Sequence, residues 1–66
     1  MARISIDNGA SYTTAKQALQ SVSWDAITAV MDDETREAVS EELAPCTEEE
    51  FLARYLEIAK EDLIIG

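Results

Sequence analysis

The chain has 66 residues, with 14 Asp and Glu against five Lys and Arg, a formal net charge of −9 at pH 7 and a pI near 4.1. A chain this short forms one small domain, residues 1–66, that buries only about 60% of its unfolded surface; with no His, two Gly and one Cys it has little from which to build a reactive centre, and no enzymatic activity is expected. Its hydrophobic share of 47% is that of a folded domain and not of an acidic disordered tail.

Residues 3 to 6, Arg-Ile-Ser-Ile, alternate and then meet Asp7-Asn8-Gly9. Asn-Gly supplies the positive φ angles of a tight hairpin turn, so Ala10 to Thr13 is expected to return as a second strand with Tyr12 packing near Ile4 and Ile6. A lone hairpin is marginal in water and needs a further strand. The other apolar, β-branched segment without helix signals is Leu63-Ile64-Ile65, so the two ends of the chain are expected to pair in one small antiparallel sheet.

Between these strands the signals are helical. Thr14 followed by Gln17 has the form of a capping box, which starts a helix from about Ala15 to Gln20. Ser23 precedes Trp24, Ile27 and Met31, spaced by three and four, which predicts a second short helix anchored by Trp24. Asp32 or Asp33 caps a third helix to about Leu43, ended by Pro45, with Val39 and Leu43 facing inward. Thr47 and Glu50 form another capping box ahead of Phe51, Leu52, Tyr55, Leu56 and Ala59, the inward positions of a fourth helix that organises the core. Glu50 with Arg54, and Glu57 with Lys60, are expected as ion pairs on its outer face. Tyr12 or Tyr55 is the aromatic expected to stay in contact with water. The fold class is thus α+β, a small antiparallel sheet packed on three or four short helices.

The charge is distributed unevenly. Residues 25 to 50 hold ten acids, Asp25, Asp32, Asp33, Glu34, Glu37, Glu41, Glu42, Glu48, Glu49 and Glu50, against the single base Arg36, so this stretch carries the whole −9. The other 40 residues hold four acids and four bases. On the third helix Asp33, Glu37 and Glu41 recur every fourth residue with Glu34 beside them, a spacing at which like charges repel. The triplet Glu48-Glu49-Glu50 sits where a helix dipole favours acids and needs no functional explanation. Crowding from Asp32 to Glu50 is expected to raise folded-state pKa values and to make the domain gain stability as pH falls toward ~5 or as salt is added.

Such a charge argues against direct binding of nucleic acid or of an anionic membrane, because affinity for either comes from Lys and Arg. It favours a basic protein partner reached by electrostatic steering. Carboxylates one helical turn apart lie ~5–6 Å apart at Cβ, a spacing that approximates a row of phosphates, so the ridge has the form of something that occupies a DNA-binding groove. The alternatives are a solvated face that only aids solubility, and an acidic regulatory or antitoxin-like module that binds through an apolar face. No cofactor or metal is expected: an ion-binding loop would need a Gly among these acids, and Gly9 and Gly66 lie far from them. Cys46 has no partner for a disulfide or His to serve as its base, and reads as a small packing residue or the neighbour of a helix cap. A reducing cytoplasm is the expected compartment and a monomer the expected state.

The length, the acidic block from Asp32-Asp33-Glu34 to Glu48-Glu49-Glu50 and the lack of catalytic residues resemble the small acidic inhibitors of phages and mobile elements, the anti-CRISPR and DNA-mimic proteins. The compact layout of hairpin and helices is most similar to inhibitors of type I CRISPR surveillance complexes, type I-C among them. The resemblance implies a cytoplasmic inhibitor that binds a basic Cas subunit where target DNA is received. On that reading Asp32, Asp33, Glu34, Glu37, Glu41 and Glu42 are the principal contacts and Asp25, Glu48, Glu49 and Glu50 the secondary ones, with Arg36 holding two carboxylates in register.

Overall fold

The computed structural model describes the whole chain, Met1–Gly66, as β1 (Ile4–Ser5), α1 (Ala15–Ser21), α2 (Trp24–Ala29), α3 (Asp33–Leu43), α4 (Glu48–Ile58) and β2 (Leu63–Ile64). Each helix starts at a side-chain cap: Thr14, Ser23, Asp32 and Thr47 each accept a hydrogen bond from the backbone N–H three residues on. The reciprocal capping box forms at Thr47 and Glu50, where the Glu50 carboxylate returns to the Thr47 N–H. At Thr14 only the hydroxyl half is present. α3 ends at Ala44, whose extended backbone (φ −78°, ψ 132°) is the geometry a following proline demands.

The fold is α+β, with the two chain ends paired as the sequence suggests, but the sheet is parallel and not antiparallel: Ile4 pairs with Leu63 and Ser5 with Ile64. The direction follows from α4. The Ala2 N–H donates to the carbonyl of Leu56 at 2.7 Å, so β1 begins beside the last turn of α4. The chain leaves α4 at that same end, and after a turn through Ala59–Asp62 it can only run alongside β1. Asp62 closes the register, one carboxylate oxygen accepting from the Arg3 N–H at 2.8 Å and the other from its guanidinium at 3.1 Å.

The return strand of the expected hairpin shrinks to one antiparallel bridge, Ile4 with Thr13. Asn8 and Gly9 do take positive φ, 57° and 88°, in a turn closed by the Ala10 N–H to the Asp7 carbonyl. The strand fails because the Asp7 carboxylate captures Ser11, accepting from its N–H at 2.9 Å and its hydroxyl at 2.6 Å, while Ala10 and Ser11 have no large apolar side chain to bury. Below the turn lies Ser5, fully buried, whose hydroxyl donates to Asp7 and accepts from the Gly9 N–H.

One core gathers residues from every element. Ile4, Ala18, Ile27, Val39 and Leu52 are completely buried, and Ala2, Met31, Tyr55, Leu56 and Leu63 nearly so. α4 is the hub, packed by α1 and α3. The buried residue of α2 is Ile27; Trp24 stands half-buried at the rim, edge-on to Phe51 with ring centroids 5.7 Å apart. Tyr12 is exposed under the Arg3 guanidinium, 3.9 Å from the ring centroid, whereas Tyr55 is buried and its hydroxyl accepts the Asp32 N–H at 2.7 Å. No helix is long and apolar enough to cross a membrane.

Two outcomes follow from this geometry. Hydrogen bonds from Ser11 and Ser5 hold the Asp7 carboxyl down at about 2, and the Arg3 N–H lowers that of Asp62. The unfolded chain therefore takes up these protons first as pH falls, so their stabilisation is complete above pH ~4 and is lost between ~4 and ~2. Urea midpoints measured across that range should drop, and D7N should flatten the drop. Separately, Y55F removes the acceptor of a part-buried N–H at the start of α3 and should cost about 1 kcal/mol in urea unfolding.

Candidate acidic interface

With Val39 turned into the core, the 3.6-residue period of α3 puts Asp33, Glu34, Glu37 and Glu41 on the opposite side, and all four are exposed. This is the acidic ridge. Asp33 contacts Arg36 at 3.2 Å, the one ion pair along the ridge, so Arg36 engages a single carboxylate and not two. Glu34, Glu37 and Glu41 have no cationic partner.

The other carboxylates of the block have different tasks. Asp32 is the cap of α3, and its carboxylate accepts from both the N–H and the hydroxyl of Thr35 at 3.0 Å. Those bonds hold its pKa below the ordinary carboxylate value, the N–H being the larger cause. The sequence suggests a rise from crowding, but here hydrogen-bond donors to the charged carboxylate outweigh its desolvation and the pKa falls. Glu42 lies on the flank of α3 facing α4, where Oε1 is 2.9 Å from Nε of Arg54. Arg54 also binds Glu57 at 2.9 Å, and the two carboxylates, Glu57 foremost, raise its pKa. Neither expected pair of α4 forms: Arg54 turns to Glu57 and Glu42, leaving Glu50 to its cap and Lys60 unpaired.

Glu48 and Glu49 are exposed in the first turn of α4, and Asp25 is exposed in the first turn of α2. Glu48 shares a shallow cleft with Glu37, Trp24 and Phe51, so the middle of the ridge and the start of α4 face common solvent. Cys46 lines this cleft and is exposed, the neighbour of a cap and not a packing residue. The acidic cluster does not converge on a point where three or more ligands would hold a metal ion. Two acids that the sequence reading set aside, Glu61 and Asp62, lie near the start of α3 around a second cleft. Their distance in sequence from the block hid them, since only the return of the chain after α4 brings them there.

The fold and this surface define a class: a small, strongly acidic α+β protein whose most exposed helix carries unpaired carboxylates. Within that class the chain belongs to a family of anti-CRISPR proteins, because the family model described as anti-CRISPR protein AcrIC5 matches residues 20–61, from the end of α1 to the turn before β2. It is thus a CRISPR inhibitor of the type I-C group, a family whose role implies contact with Cas proteins. No curated protein and no solved structure matches the chain.

Unpaired carboxylates one turn apart repel, and dissolved salt screens exposed charges more than buried ones. Thermal scans by circular dichroism should therefore show a higher midpoint in high than in low sodium chloride; an unchanged or lower midpoint would mean that the ridge is already compensated.

Proposed function

We propose that this inhibitor binds a basic surface of a Cas subunit in the type I-C surveillance complex and excludes target DNA from it. The observation that carries the reading is the set Glu34, Glu37 and Glu41, exposed on the side of α3 opposite Val39 and without a cation. A domain selected for stability alone would interleave signs there. Asp33 joins the set, with Glu48, Glu49 and Asp25 at its margins. Asp32, Glu42 and Glu50 serve chiefly as cap, ion-pair partner and capping box, and act at the interface through the general field.

The mechanism is steric and electrostatic. A row of carboxylates offers a groove lined by Lys and Arg the same sign of charge, at similar intervals, as a phosphate backbone. The negative field brings the inhibitor to that groove rapidly, and the folded domain then occupies the space that the duplex needs. One copy suffices for this, and no bond is made or broken.

Glu37→Lys combined with Glu41→Lys should abolish binding to the complex and restore its DNA binding in a gel-shift competition, with the circular dichroism spectrum unchanged because both side chains are exposed. Inhibition retained by this double variant would move the site off α3. In the native protein the association rate should fall steeply with ionic strength while the dissociation rate changes little.

A further inference from the structure

We propose that the cleft between the start of α3 and the end of α4 is a second contact with the same partner, taking an apolar side chain from a short segment rich in Lys or Arg; this rests on the reading of the chain as a Cas-binding inhibitor. The cleft has a volume of about 480 Å³. Its lining includes two core residues, Met31 and Leu63, together with Val30 and Ile58. These two are among the few large apolar side chains left in water, 43% and 37% exposed, and they sit just past the end of α2 and at the last residue of α4. Neither is needed to fill the core. Two such residues lining one cleft have the form of a socket for an apolar anchor.

The rim states the chemistry of the occupant. Four acids line the same cleft, Asp32, Glu34, Glu61 and Asp62, against one base, Lys60. Asp62 is held by Arg3 and Asp32 by its cap, but Glu34 and Glu61 have no cationic partner. A polyanion or an anionic lipid would meet repulsion here, whereas Lys or Arg beside the anchor would meet complementary charge.

Tyr55 also lines the cleft, with its hydroxyl accepting the Asp32 N–H. An apolar anchor with a flanking cation describes a protein segment. Glu34 belongs both to the ridge and to this rim, so a partner engaged on α3 reaches the cleft without leaving the surface.

The test is the double variant Val30→Ser, Ile58→Ser measured beside Glu37→Lys, Glu41→Lys on immobilised, purified type I-C surveillance complex. Both residues lie outside the buried core, so circular dichroism should show an intact fold, with the thermal midpoint lowered only modestly by the lost part-burial. The serine variant should raise Kd by about tenfold, through faster dissociation, at low and high salt alike. Native dissociation kinetics in the serine variant, with binding lost in the lysine variant, would overturn the cleft contact and leave the ridge reading standing. The opposite pattern would remove the ridge and keep the cleft. Sedimentation showing a native dimer that the serine variant breaks would make a second copy the occupant and overturn the proposal.

Discussion

The packing of α3 on α4 is the constraint from which the rest of the molecule follows. Val39, Leu52 and Tyr55 are buried in one cluster, and the Tyr55 hydroxyl fixes the first backbone N–H ahead of α3. Burying one such apolar side chain is worth about 1.5–3 kcal/mol, against a few tenths for each like-charge pair one turn apart. Apolar burial therefore sets the rotation of α3, and with Val39 inward the exposed side of the helix can only be the one bearing Glu34, Glu37 and Glu41.

Two of the three arginines are tied up away from that surface. Arg3 closes the sheet with Asp62, and Arg54 ties α4 to Glu42 and Glu57. Arg36 is the exception and reaches Asp33 alone. The structure thus separates two kinds of carboxylate with the same formal charge: those spent on caps and ion pairs, which hold the fold, and those on α3 left to solvent. For an inhibitor this separation is economical, because an opposing groove can attract the free acids without dismantling the contacts that keep the domain folded. In the proposed mechanism the ridge would govern how quickly a basic surface is found, and the cleft beside it how long contact lasts.

Helix positions were legible in the sequence because they rest on local chemistry: four cap residues, a proline and two short-range periodicities place α1 to α4 to within a residue or so. The pairing of the chain ends was legible too, since Leu63-Ile64-Ile65 had no other use. Strand direction was not, because it depends on which end of α4 lies beside Ala2, a contact between residues more than fifty positions apart. The hairpin failed for a reason visible only in three dimensions, the grip of Asp7 on Ser11. At the candidate interface the sequence located the acidic block but could not divide it. Asp32, Glu42 and Glu50 look like Glu37 in a string of letters, and their partners, Thr35, Arg54 and Thr47, separate them. Glu61, Val30 and Ile58 carried no signal, since an isolated acid or an aliphatic residue at a helix end is ordinary.

The parallel sheet has a mechanical corollary. β1 lies near one terminus and β2 near the other, and because they run the same way, pulling the termini apart slides one strand along its neighbour. The rungs between Arg3, Ile4 and Ser5 on one side and Leu63, Ile64 and Ile65 on the other are then strained together, where an antiparallel pair would open one rung at a time.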